Sequence, residues 1–211
     1  MARPPGSRNS GYDVRRRALA RRVLDRMAQP TGSGASMREL AAAAGVSVPT
    51  LRHYFQTREG ALQAAMAQMR ELGAPWLQVA AHAEVDQPLA DSLRWFFTMF
   101  LRGWEGGLGA MLGESLAAAT GVTALGVTAI EEVLEPTVQA LETRLAHHQQ
   151  AGMLDPEADL RHAALALFSP ALIALLHQHT WSGAQCRPLD IAAFLDAHVA
   201  RFVAGWKGPR A

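Results

Sequence analysis

The side chains of this 211-residue chain best suited to chemistry are arginines, and the partner they suit is phosphate. Residues 1–72 carry 12 arginines against 5 acidic residues, a net +7. Residues 73–211 carry 8 Lys/Arg against 14 acidic residues, a net −6, and the two recover the overall +1. A guanidinium forks onto phosphate oxygens and guanine edges in a way an ammonium cannot. A basic end on an acidic remainder is the footprint of a chain that meets nucleic acid at one end only. Other constellations fail on spacing. The serines lack a Gly-x-Ser-x-Gly frame, so no hydrolase triad is indicated. His147-His148 and the His177/His179 pair have no His-Glu-x-x-His frame and no carboxylates at ligand spacing, so they read as solvated or core histidines. Gly103, Gly106, Gly107, Gly109 and Gly113 follow no strand and precede no Gly-Lys-Ser/Thr; they read as a flexible break between helices, not a phosphate cradle. The lone Cys186 excludes an intrachain disulfide and a Cys-rich zinc site. No catalytic residue, metal or cofactor is expected.

The arginines need a scaffold, and the stretch Ser36–Phe55 supplies its centre. Ser36 with Glu39 three residues on forms a capping box, in which each side chain satisfies a backbone N–H at the other's position. Leu40, Ala41 and Ala44 give a short apolar stripe. Gly45 stops that helix, since the left-handed C′ conformation is open to glycine without steric cost. Val46 can plug the angle between helices. Ser47 then caps a second helix, with Pro49 in its first turn, where a missing N–H is harmless. Leu51 and Phe55, four apart, bury one face and leave Val48, Thr50, Arg52, His53 and Tyr54 to point elsewhere. This spacing predicts a helix-turn-helix, whose second helix enters the DNA major groove.

The segment MRELAAAAGVSVPTLRHYFQTREGAL resembles the N-terminal domain of the tetracycline-repressor (TetR-type) family of transcriptional regulators. The Tyr54-Phe55 pair, the turn Gln56-Thr57, Arg58, Glu59 and the helix start at Gly60 follow that family's order. The segment LEPTVQALETRLAHHQQAGMLDPEADLRHAALAL resembles the family's later helices. The resemblance implies roles position by position. Val48, Pro49, Thr50 and Arg52 would face base edges or flanking phosphates. Tyr54 and Arg58 would bind phosphate, and Ser36 and Arg38 would contact backbone and bases. Arg52 stands where tyrosine is commoner; it could read guanine or pair with a phosphate, which leaves the operator open. His53 is expected to pack.

Around this centre the chain reads as all-α, because helix formers dominate and β-branched alternation is scarce. Three parts are expected: a disordered basic tail (1–11), a three-helix helix-turn-helix DNA-binding domain (12–73), and a larger C-terminal helical effector-binding and dimerisation domain (74–211). The first helix, from about Tyr12 to Ala28, has its stripe at Leu19, Val23 and Met27, with Arg15, Arg16, Arg17, Arg21, Arg22 and Arg26 elsewhere. The helix from Arg58 packs Leu62, Met66 and Met69 and is expected to end at Gly73-Ala-Pro75. In the body, helices are expected at about 76–84, 88–104, 108–119, 123–151, 156–181 and 188–206. Pro136 would kink the long one, and Asp155 would cap the one at 156.

The helix from about Pro156 is apolar over too wide a face for a surface helix. With Ile191, Phe194, Leu195, His198 and Phe202 it suggests a homodimeric four-helix bundle, which a helix-turn-helix needs to span two half-sites of near-palindromic double-stranded operator DNA. The apolar run 163–176 is broken by Ser169 and Pro170 and is shorter than the ~20 residues of a membrane span. No apolar stretch follows the N-terminus, so a cytoplasmic protein without membrane contact is expected. Trp95, Met99, Phe100, Trp104 and Met111, with Phe168, His177 and Trp181 opposite, read either as core or as the lining of a pocket for a small apolar effector, which the resemblance implies. The expected function is a sequence-specific transcriptional repressor that the effector releases from operator DNA, with an activator of the same fold as a first alternative. A helical enzyme or ligand-binding protein carrying this head is the second.

Overall fold

Every element among the described residues is helical. The computed structural model describes residues 7–207 apart from 30, 31, 33, 85 and 119–123, and the side chains of 7–10 and 114–118 are not described. In chain order the helices are α1 (Ser7–Met27), α2 (Met37–Ala43), α3 (Val48–Phe55), α4 (Arg58–Ala81), α5 (Leu89–Gly103), α6 (Gly109–Ala118), α7 (Ala124–Ala129), α8 (Glu135–Gln150), α9 (Leu160–His179), α10 (Gly183–Cys186) and α11 (Ile191–Trp206). They form two packing units, residues 1–72 with 110–133, and residues 73–109 with 134–211.

In the first unit, Leu19, Val23 and Met27 of α1, Leu40 of α2, Leu51 and Phe55 of α3, and Leu62 and Met66 of α4 are all buried. The stripes read from the sequence are thus the faces that meet, and their removal from water is the main favourable term. Met111, Leu125 and Ala129 belong to the same core, so the described residues of 110–133, expected in the body, pack within this unit. Gln63 ties that segment down, its Nε2 donating to the Thr128 hydroxyl at 3.0 Å and to the Ala124 carbonyl at 3.1 Å. α1 starts at Ser7 and not Tyr12, so residues 7–11 of the expected tail are helical; residues 1–6 lie outside the described residues.

The expected stop at Gly73-Ala-Pro75 does not occur, and α4 runs on to Ala81 with Pro75 inside it. Pro75 is exposed, so water can reach the carbonyl that its missing N–H leaves unpaired. The separate helix expected at 76–84 is therefore the end of α4.

The second unit packs α9 on α8 and α11, and α11 on α5. Phe96, Phe97 and Phe100 of α5, Leu141 and Leu145 of α8, Phe168 and Leu175 of α9 and Val199 of α11 are buried in it. By length and composition α9 could cross a bilayer, but its Ala163, Ala164, Leu167, Phe168 and Ala171 are buried among these helices. The glycine cluster is a kinked π-helical turn (Trp104–Leu108) in which Gly107 takes φ 120°, a backbone state that favours glycine. A Cβ on Gly109 would lie 2.5 Å from the Trp104 indole, so that glycine lets Trp104 be buried. The long helix expected over 123–151 is interrupted by a second π-helical turn (Ile130–Leu134), after which Pro136 sits in the first turn of α8. Asp155, expected to cap this helix, does not; the cap of α9 is Asp159, which accepts from His162 N–H at 3.0 Å. Asp155 instead accepts from Glu157 N–H at 2.9 Å, a turn that precedes the helix.

Arg144 is the most unusual side chain of this unit, a guanidinium only 2% exposed. Its Nε donates to the Ala80 carbonyl at 2.6 Å and Nη2 to the Val79 carbonyl at 3.2 Å and to the His82 carbonyl. Nη1 donates to the Ser92 hydroxyl at 2.6 Å, and the group stacks 4.8 Å over the Trp95 ring. Two of its acceptors, Val79 and Ala80, lie in the last turn of α4 and the third, His82, just past its end, where helical carbonyls run out of intrahelical partners and a cation meets the negative end of the helix dipole. Burial pulls its pKa down to about 10, which still leaves it charged at neutral pH.

Candidate nucleic-acid interface

The centre of the candidate interface is α3, and both α3 and the helix before it are capped. Ser36 accepts from Glu39 N–H at 3.3 Å while the Glu39 carboxylate accepts from Ser36 N–H at 2.8 Å, which completes the capping box. The bond from the Ser36 backbone, followed by one from the Ser36 hydroxyl to the same carboxylate at 2.7 Å, holds the Glu39 pKa below its ordinary value. Gly45 takes φ 67°, the left-handed state that lets the chain turn sharply between α2 and α3. Arg22 of α1 closes that corner from the side, donating to the Ala44 carbonyl at 2.7 Å. Ser47 then accepts from Thr50 N–H at 3.2 Å, with its hydroxyl 2.8 Å from that of Thr50.

Leu51 and Phe55 hold α3 in the core, so its opposite side is left outward. On that side Pro49, Arg52 and His53 are exposed, and Thr50 is half-buried. Arg52 makes no hydrogen bond or ion pair among the described residues, so it is available to an external acceptor. Val48 and Tyr54 are split between roles, being partly exposed and also packed against the core. Tyr54 stacks on Tyr12 of α1 at 4.8 Å, and His53 meets both rings edge-on at 5.2–6.0 Å. His53 thus packs, as expected, but on the surface. Arg38 is exposed at the start of α2. Arg58 is half-buried and its Nε donates to the Ala35 carbonyl at 2.7 Å, so it also pins the loop before α2.

The arginine run of α1 divides by contact. Arg16 lies 5.3 Å over the Phe55 ring, Arg21 pairs with Asp25 at 2.8 Å, and Arg22 is the corner brace. Arg15 and Arg17 are exposed. The excess positive charge therefore sits on the unit that carries α3, as phosphate binding requires.

The eight residues read as a pocket lining are not brought together. Phe100, Trp104 and Phe168 meet, with ring centroids 5.0–6.3 Å apart, as buried core. Trp95 is the platform under Arg144, Met111 lies in the core of the first unit, and Met99 and His177 are half-buried. Trp181 is exposed. None of the eight lines the cavity of about 320 Å³ beside the C-terminal ends of α4 and α8, whose wall includes His82, Ala83, His147, His148 and Met153. The paired histidines are its one signal in the sequence. No group of three or more His, Cys, Asp or Glu is placed to hold a metal among the described residues.

Residues 32–65 match the family model for bacterial regulatory proteins of the tetR family. In both the helix-turn-helix segment and the fold, the chain is similar to tetR-family transcriptional regulators. Three solved structures share its fold. The fatty acid degradation regulator FadR of Bacillus halodurans is 18% identical, with 99% of this chain and 100% of that one covered and a TM-score of 0.67. A tetR-family regulator of Streptomyces coelicolor is 20% identical over 91% of this chain and 80% of that one, TM-score 0.67. FadR of Thermus thermophilus, a repressor in complex with lauroyl-CoA, is 17% identical over 93% and 97%, TM-score 0.59. Among curated proteins none matches the chain.

Proposed function

We propose that the chain is a homodimeric repressor whose two heads dock α3 in successive major grooves of a near-palindromic operator, and which a small apolar effector releases. The observation that carries the reading is α3 itself, capped at Ser47 and anchored by Leu51 and Phe55, with Pro49, Thr50 and Arg52 on its outward side. Residues 12–73 supply the DNA-binding head, with Met111, Leu125 and Ala129 packed into its core, and residues 74–109 with 134–211 supply the body. Thr50 and Arg52 read base edges with Val48 and Pro49 beside them, while Ser36, Arg38, Tyr54 and Arg58 hold phosphates.

Leu165 and Ile173 support the dimer, being 37% and 53% exposed on one side of α9 with Ser169 between them, an apolar stripe of the kind a second copy covers. A neighbour of the same fold described as a repressor in complex with lauroyl-CoA supports the effector. Release requires that the effector bind the DNA-incompetent state more tightly, since a ligand of equal affinity for both states moves nothing. The test is a binding selection on genomic fragments with the purified protein, repeated with candidate effectors. Enrichment of a two-half-site sequence that a ligand abolishes supports the reading, and no enrichment overturns it.

A further inference from the structure

The most outward residue of α3 is a histidine. Leu51 and Phe55 anchor the helix, and at 3.6 residues per turn His53 lies about 180° around it from their midpoint. By the same count Pro49 and Thr50 lie about 40° and 60° from His53, and Arg52 about 100°. His53 is exposed, and its ring nitrogens have no hydrogen-bond or ion-pair partner among the described residues. Two tyrosines hold the ring. Tyr12 of α1 and Tyr54 stack at 4.8 Å, and the imidazole stands 6.0 Å from the first and 5.2 Å from the second, at 84° and 82° to their planes. The three separations make a nearly equilateral triangle, so the imidazole lies beside the tyrosine stack and not over a face of it. Contacts of this kind fix a ring without using either nitrogen.

Imidazole is the side chain whose charge changes between pH 5 and 8. Neutral, it offers one donor and one acceptor; protonated, it offers two donors and a positive charge. Its charged neighbours are Arg52 on α3, Asp13, Arg15 and Arg16 on α1, and Arg38 and Glu39 on α2. Arg16 lies over the Phe55 ring. The Glu39 carboxylate is held by Ser36, and Asp13, next to Tyr12 in the chain, makes no bond to the imidazole among the described residues. No carboxylate of the head therefore pairs with the ring, and a group that favours its charged form has to come from outside. A duplex supplies such groups as phosphate oxygens and as guanine O6 and N7.

We propose that His53 contacts DNA as an imidazolium, donating to an acceptor of the duplex, so that docking takes up a proton. The inference rests on the regulator reading above. Because the bound state favours the charged ring, binding strengthens as pH falls through the imidazole range. The test is fluorescence-anisotropy titration of the full chain with its selected operator at pH 6 and pH 8 and constant salt, for wild type, His53→Phe, His53→Gln and His53→Arg. Position 53 is exposed, and phenylalanine keeps the contacts with the tyrosine rings. We expect the affinity ratio of wild type to His53→Phe to be about fivefold larger at pH 6 than at pH 8, with His53→Gln following His53→Phe. The ratio of His53→Arg to His53→Phe should not change with pH, since a guanidinium stays charged throughout. A phosphate acceptor makes the slope of log K against log salt steeper for wild type than for His53→Phe by about one at pH 6 and not at pH 8. A guanine acceptor instead makes one guanine-to-adenine change in the operator cost wild type about fivefold more than it costs His53→Phe at pH 6. A ratio of wild type to His53→Phe that is the same at both pH values, or a pH effect with neither signature, overturns the contact. Failure of the wild type to select or bind any duplex at either pH contradicts the regulator reading itself, and the contact falls with it.

Discussion

Replacing Arg144 with methionine tests whether the end of α4 is held by a buried cation. The substitution keeps much of the volume but removes every donor. The Ala80 and His82 carbonyls and the Ser92 hydroxyl lose the partner they have now, while the Val79 carbonyl keeps the His82 N–H at 3.2 Å. Each buried acceptor left unpaired costs about 1–3 kcal/mol, while removal of the buried charge offsets part of the loss. Breaking a buried charged network typically costs about 3–5 kcal/mol, out of roughly 5–15 kcal/mol of total stability. At roughly 2–4 °C per kcal/mol for a chain of this size, Tm should fall by roughly 6–20 °C. Urea unfolding followed by far-UV circular dichroism gives the free energy, and Arg144→Lys should fall between wild type and Arg144→Met because an ammonium has three donors in place of five. A methionine variant within about 1 kcal/mol of wild type would refute the reasoning, since it would mean that the α4 carbonyls find water as readily as they find Arg144.

Four further outcomes concern the head. Ser47→Ala removes the α3 cap and should cost about 1 kcal/mol of head stability, read by thermal melts, with weaker operator binding in gel-shift titration. Arg58→Ala should weaken binding to all duplexes alike and reduce the slope of log K against log salt by about one; an unchanged slope contradicts a phosphate role. Arg52→Ala should relax preference at one base pair, worth about 1–3 kcal/mol if it reads guanine, as measured by binding to a panel of single-base operator variants. Glu39 has a folded-state pKa below its ordinary 4.5, so its contribution is present above that pH and is lost as pH falls through the folded value. Glu39→Gln should therefore flatten the acid limb of head stability, and an acid limb identical to wild type contradicts the capping role of the carboxylate.

What could be read from the sequence was local. The capping box at Ser36 and Glu39, the left-handed Gly45 and the cap at Ser47 each depend on neighbours within four residues, and each is in the structure where its spacing places it. The apolar stripes of α1 to α4 were legible for the same reason, because helical period alone decides them. What was missed depends on distant partners. Pro75 reads as a stop, yet an exposed proline in a run of good helix formers is carried through. Asp155 and Asp159 are both plausible caps by type, and the packing of α9 selects the second. Arg144 is one arginine among charged neighbours on α8, and nothing nearby in the sequence shows that the end of α4 and Ser92 will enclose it. Met111, read as pocket lining, lies in the head core because residues 110–133 fold back into that unit. The Arg22 brace was hidden within a run of arginines that looked alike.

The central claim is that a pair of arginine-rich heads reads two half-sites through α3. The most direct measurement is footprinting of the purified chain on its best selected genomic fragment, titrated at two salt concentrations. The account predicts two protected half-sites centred one helical turn, or a multiple of it, apart (roughly 34–36 Å per turn). It also predicts a steep loss of affinity as salt rises and disappearance of the footprint with Arg52→Ala and Arg58→Ala combined. A single protected half-site, or protection that spreads over any duplex and survives both substitutions, would contradict it.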